Sequence, residues 1–152
     1  MNEDKIKWCG RQAKGIRLIE LKPHLSSSYA KEADETLENV FTSKGKWKTI
    51  TAYYACYNAL YAIFMKCGIK SEIHDCTLEM MELFDFDNES ISFLKKLKED
   101  RIQAQYYLKE ALLENESEVK EFVSECKTIL SKMNSDDIEK TRAKVKGMIG
   151  ND

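Results

Sequence analysis

Seventeen residues from Thr49 to Met65 carry no charge between Lys48 and Lys66, and this run constrains the fold more than anything else in the chain. Its length sits at the lower limit of a membrane span. Yet it holds four tyrosines, two threonines and Asn58, which hydrocarbon solvates poorly. The alternative is a helix at the centre of a helical bundle, apolar on every side because neighbours surround it. Composition favours the bundle: one proline and six glycines leave few strand punctuators. A 43% apolar and 33% charged make-up is that of a globular chain rather than a disordered one. The expected fold is all-α, a single domain over residues 1–152 built as an antiparallel up-and-down bundle of four to five main helices.

Within the run, Ala52, Ala55, Ala59 and Ala62 recur every three or four residues and make a smooth strip for close helix approach. Tyr53, Tyr57 and Tyr61 form a second strip of large area with polar tips. Core packing accounts for both strips. A homodimer interface through Tyr53, Tyr57 and Tyr61 is the other reading, since tyrosine is enriched at interfaces.

Around this helix the periodicity predicts others. Residues 1–24 suit either a short helix or an extended N-terminal arm that packs Trp8 and Leu18. Serines after Pro23 cap a helix over 26–42, Gly45 separates it from the central helix over 47–67, and "DCTLEMMELFDF" is a third with Leu78, Met81 and Phe84 inward. A long fourth helix, "SISFLKKLKEDRIQAQYYLKEALLE", repeats apolar residues at 94, 97, 104, 108 and 111. A fifth carries Val119, Phe122, Val123, Cys126, Ile129, Leu130 and Met133 on one stripe. A short C-terminal helix over 135–150 opens with an Asp136-to-Glu139 capping box.

The net charge of −2 gives no global attraction to phosphate but allows a local basic patch. The first residues lack the apolar stretch of a secretory signal, so the expected location is cytoplasmic. Five cysteines without a Cys-x-x-Cys pair suggest reduced thiols rather than a disulfide framework. Cys67, His74 and Cys76 match no common zinc spacing, so no metal and no cofactor is expected.

Two residues resist the core reading. Arg101 completes the heptad series on the inward face of the fourth helix, and a guanidinium there needs a carboxylate, a second subunit or a phosphate. An internal partner is one solution, with Asp34 or Glu35 in reach of the pattern; an anionic ligand is the other. Asn58 is a lone amide one turn from Tyr54, suited to setting register or to holding a ligand.

The run "SSSYAKEADETLENVF", then "WKTITAYYACYNALYAIFMKCGIKSEIH", then "LKEDRIQAQYY" resembles the HEPN domain (higher eukaryotes and prokaryotes nucleotide-binding), especially its small prokaryotic branch. The similarity covers about residues 26–110. Members share a Tyr-Tyr-Ala-x-Tyr-x-Ala core, matched by Tyr53, Tyr54, Ala55, Tyr57 and Ala59. A following Gly and His are matched by Gly68 and His74. The Arg-x-x-Ala-Asp-Tyr signature reads Arg101, Ala104, Gln105, Tyr106 here. The resemblance implies a helical bundle that dimerises and is often paired with a nucleotidyltransferase in toxin–antitoxin systems.

Catalytic members of that family are metal-independent ribonucleases with a His soon after the Arg. The Arg steadies the charge on phosphorus and the His moves the proton during attack by the 2′-hydroxyl. Here Gln, Tyr and Tyr stand at 105–107. A phenol, with an ordinary pKa near 10, is a poor proton shuttle at neutral pH. The expectation is therefore a non-catalytic or weakly catalytic protein that binds nucleotide, RNA or a nucleotidyltransferase partner through Arg101, Tyr106, Tyr107 and Asn58. The alternatives are a ribonuclease toxin using Arg101 with His74, and a structural dimerisation module.

Overall fold

The computed structural model describes residues 1–110 and 112–150. Helix α1 (Glu3–Arg11) begins where the Asn2 side chain accepts from the Lys5 amide, and it buries Ile6 and Cys9. Helix α2 (Pro23–Thr42) starts on its proline, which lacks the N–H that a first turn leaves unused. Helix α3 (Lys46–Lys66) is the central helix, with fourteen of its 21 residues buried. Helix α4 (His74–Glu79) runs into one 3₁₀ turn (Met80–Leu83), α5 spans Asn88–Tyr106, α6 Glu116–Lys132 and α7 Ser135–Ile149. The chain is an all-α helical bundle, and no helix among the described residues is long and apolar enough to cross a membrane.

Why α3 shows so little amphipathic pattern is now clear, because α2, α5 and α6 all pack on it. The pairing of α2 with α3 is the most extensive in the fold. All four alanines of the smooth strip are buried, and the buried Ser26 hydroxyl donates to the Ala62 carbonyl at 2.8 Å where α2 comes close. Only Thr51, Tyr54, Asn58 and the helix ends of α3 remain partly open, which leaves one narrow stripe uncovered.

Several expectations need correction. Residues 1–24 hold a real helix and strand β1 (Arg17–Leu18), which pairs antiparallel with β2 (Ile69–Lys70). Leu18 packs on the core as expected, but Trp8 is 50% exposed because Ile6 and Cys9 occupy the inward face of α1. The capping box of α7 is formed by Asn134 and Asp137, each side chain accepting from the other's amide. Helix α5 stops at Tyr106, well short of residue 114. Leu108 takes a left-handed φ of 54°, and the Lys109 amide turns back to the Gln103 carbonyl at 3.1 Å. Position 108, expected to face the core, is thus 74% exposed; position 111 lies outside the described residues.

The largest correction is covalent. Cys9 and Cys76 form a disulfide that ties α1 to α4, with Cα atoms 5.9 Å apart. Cys56, Cys67 and Cys126 are free and buried. The 67-residue separation of the bonded pair is invisible to any local spacing rule.

Candidate functional site around Arg101

Arg101 is 6% exposed on the inner face of α5, as the heptad register requires. Its guanidinium sits over the ring of Tyr53, 4.7 Å from the centroid, with Tyr54 at 5.7 Å and Tyr106 at 5.9 Å. Ring faces carry partial negative charge and favour a cation held this way. They accept no in-plane hydrogen bond, however. Among the described residues the guanidinium's one side-chain hydrogen bond runs to Gln105 Oε1 at a long 3.3 Å, and Nε is buried with no partner. None of the ion pairs among the described residues involves Arg101; Asp34 pairs with Lys127 and Glu35 with Lys31. The internal-carboxylate solution is therefore not the one adopted.

The start of α4 brings His74 onto the other end of the same tyrosine. Tyr53 Oη and His74 Nδ1 are 2.6 Å apart. The imidazole also stacks on Tyr57, with centroids 4.1 Å apart and planes 13° from parallel. Tyr57 in turn shares a 3.1 Å hydrogen bond with Thr77, which anchors the ring to α4. Burial, then the positive charges of Arg101 and Lys98, lower the His74 pKa from 6.5 to about 4, with Asp75 opposing. The ring is neutral at pH 7. It can accept a proton there, but it holds none to donate as an imidazolium.

Burial also raises the Tyr53 and Tyr57 hydroxyls far above their usual range, so both stay protonated. Lys98 faces the site too, forming a 2.6 Å ion pair with Asp75 and holding that carboxyl below its usual range.

The pKa shift of His74 has a definite sign for stability. An unfolded chain protonates this ring near pH 6.5, whereas the folded chain waits until about pH 4. Between those values the unfolded state holds more protons, so stability is full above pH 6.5 and declines as pH falls towards 4. Thermal melts across that window are expected to show a loss on the order of 1 kcal/mol, allowing for solvent screening of a partly exposed ring. A His74→Asn variant should lack this component, and parallel pH profiles for the two proteins would refute it.

The structure thus gathers Arg101, His74 and Tyr106 from the sequence reading and adds Tyr53 and Tyr54. Tyr53, Tyr57 and Tyr61, expected at a dimer face, are turned into the protomer's own core. Their hydroxyls bond to His74, Thr77 and the Ser71 amide. Tyr107 is 64% exposed and is not among the rings that meet Arg101. Asn58 is half-buried on the narrow open stripe of α3, with no hydrogen bond among the described residues. Tyr53 was legible only as part of a strip suited to core packing or a dimer face, although the demand of Arg101 for partners and a Tyr-Tyr pair nearby were signals.

Cys76 is committed to the disulfide, so it offers no thiolate beside Cys67 and His74. Among the described residues no cluster of His, Cys, Asp or Glu is arranged to hold a metal ion. A cleft of about 360 Å³ between α6, α7 and the Phe84–Asp85 turn shares no residue with the Arg101 cluster. No family model matches the chain, and no curated protein is detectably similar to it.

Proposed function

We propose that the protein is a HEPN-type helical protein that binds RNA or a nucleotide through Arg101. The observation that carries this reading is a nearly buried, permanently charged guanidinium that, among the described residues, has an unpartnered Nε and no carboxylate pair. A buried cation left in that condition is costly unless an anion completes it. Phosphate oxygens accept in-plane N–H bonds, while Tyr54 and the 65% exposed Tyr106 supply ring faces for a base. Catalysis is weak or absent in this reading. His74 meets the cluster through the rings of Tyr53 and Tyr54, and its neutral ring has no proton to give a leaving group at pH 7.

The second reading, a metal-independent ribonuclease, is favoured by the shared contact of Arg101 and His74 with Tyr53. In either case a homodimer or a nucleotidyltransferase partner in a toxin–antitoxin-like pair would be the setting.

Arg101→Met separates function from structure. The methionine fills much of the stem's volume without a charge, so the melting temperature is expected to stay level or rise, by up to about 1 kcal/mol of stability. Nucleotide or RNA affinity at this site should fall about tenfold or more, the loss of a charge-assisted contact. Incubation with RNA in EDTA, beside His74→Ala, decides between the readings. Cleavage lost in both variants supports the ribonuclease, absence of cleavage with Arg101-dependent binding supports the binding protein, and binding unaffected by Arg101→Met sinks both.

A further inference from the structure

The segments 5–19 and 140–150 hold nine of the chain's 24 Lys and Arg residues and none of its 26 Asp and Glu residues. The rest of the chain is left with 15 cations against 26 carboxylates, so the near-neutral total conceals a strong asymmetry. The fold brings the two segments together. Helix α1 packs on α7, β1 also touches α7, and Gly10 lies against Ile149. Three of the nine cations are used internally: Lys5 pairs with Glu79, Arg17 with Glu72, and Arg142 caps backbone carbonyls. Lys7 and Arg11 on α1, and Lys14 in the turn after it, are exposed and enter no ion pair among the described residues. Lys146 is exposed on α7, one turn before the Ile149 that lies against Gly10. Trp8 lies half-exposed between Lys7 and Arg11.

We infer that this α1–α7 face binds single-stranded nucleic acid, its phosphates on Lys7, Arg11, Lys14 and Lys146 and a base stacked on Trp8. Glu3 and Asp4 open the first turn of α1, and Glu79 and Glu72 are already paired with Lys5 and Arg17, so the unpaired cations beyond them attract a polyanion by releasing its condensed counterions. An indole among them is what distinguishes a nucleic acid from a sulfated or lipid polyanion, because only the first offers flat bases. The inference does not use the Arg101 site. The two surfaces are nevertheless neighbours, since the Cys9–Cys76 disulfide ties α1 to the helix that begins at His74.

The test is fluorescence anisotropy on the full chain with a labelled single-stranded RNA of about 20 nucleotides, enough to cross one such surface. The logarithm of affinity against that of salt should have a slope of about −3, from four phosphates at about 0.7 each. The triple reversal Lys7→Glu, Arg11→Glu, Lys14→Glu is expected to weaken binding about tenfold or more and flatten that slope. Trp8→Ala should weaken RNA about fivefold while leaving heparin unchanged. Lys31→Glu, on an exposed part of α2, is the charge control, and circular dichroism confirms that each variant is folded.

The triple reversal and Trp8→Ala should leave the affinity for a mononucleotide, which the Arg101 site would take, within about twofold, and this distinguishes failure here from failure of the Arg101 site. Affinity indifferent to the triple reversal, equal loss with Lys31→Glu, or binding to phosphatidylserine vesicles without binding to RNA would each overturn the inference.

Discussion

Reducing the Cys9–Cys76 disulfide is expected to lower the unfolding free energy by about 4 kcal/mol, the chain-entropy value for a loop the size of this one. The bond closes 67 residues, including all of α2 and α3. Without it the unfolded chain regains that freedom while the folded chain keeps its other contacts. Both sulfurs are fully buried, so the comparison is best made with Cys9→Ala/Cys76→Ala, which puts no unsatisfied polar group in the core. Urea unfolding should show a lower midpoint for the double variant, and reductant should shift the parent protein but not the variant.

A midpoint unchanged by both treatments would mean that the pair does not constrain the unfolded ensemble. The loss should also reach the candidate site. Cys76 lies in the first turn of α4, two residues after His74, so freeing α1 removes a tether on the helix that sets the Tyr53–His74 hydrogen bond.

Gly68→Ala is expected to cost about 3–5 kcal/mol. Gly68 has a φ of +63°, which costs an alanine about 1–2 kcal/mol by itself. Space is the larger problem. A Cβ there would meet Arg142 Nη1 and come within 2.7 Å of the Ile19 carbonyl oxygen. That same nitrogen donates to the carbonyls of Cys67 at 2.8 Å, Ile19 at 3.0 Å and Gly68 at 3.2 Å. It closes the C-terminal end of α3 and stitches it to β1 from α7.

The carbonyl cannot retreat without disturbing the two-residue β pairing, so the guanidinium must leave. Hydrogen bonds to a charged donor contribute about 1.5–3 kcal/mol each group, and burying the abandoned carbonyls adds to the loss. Urea denaturation of Gly68→Ala beside Arg142→Ala checks this. The glycine variant should be the less stable of the two, and a cost under about 1 kcal/mol would show that the cradle yields.

The resemblance of residues 26–110 marked Arg101 and His74, and the heptad register had marked Arg101 by itself. Local pattern could go no further, because the partner of Arg101 is a set of ring faces. Tyr53 and Tyr54 come from α3 and Tyr106 from the end of α5, and ring faces leave no spacing signature of the kind carboxylates do. The same limit explains the tyrosine strip. At i, i+4 and i+8 the pattern says only that three rings share one side of a helix. Whether that side meets another subunit or α4 depends on where the chain returns after Gly68.

Helix α5 shows a related limit. Its apolar repeat continues past Tyr106, yet the left-handed turn at Leu108 ends the helix, and nothing in "QYYLKEALLE" announces it. Periodicity reports which residues fit a helix, not whether the loop that follows has to start early.

What the chain's residues determined alone was the all-α class, the buried central helix from its uncharged run, and the misfit of a charge at position 101. These follow from local physics: helical period, desolvation of charge and the scarcity of glycine and proline. Tertiary structure alone decided that Cys9 meets Cys76, that His74 and Arg101 meet on Tyr53 and Tyr54, and that α1 packs against α7. Each joins residues far apart in sequence, and such contacts are set by how the helices pack rather than by any spacing along the chain.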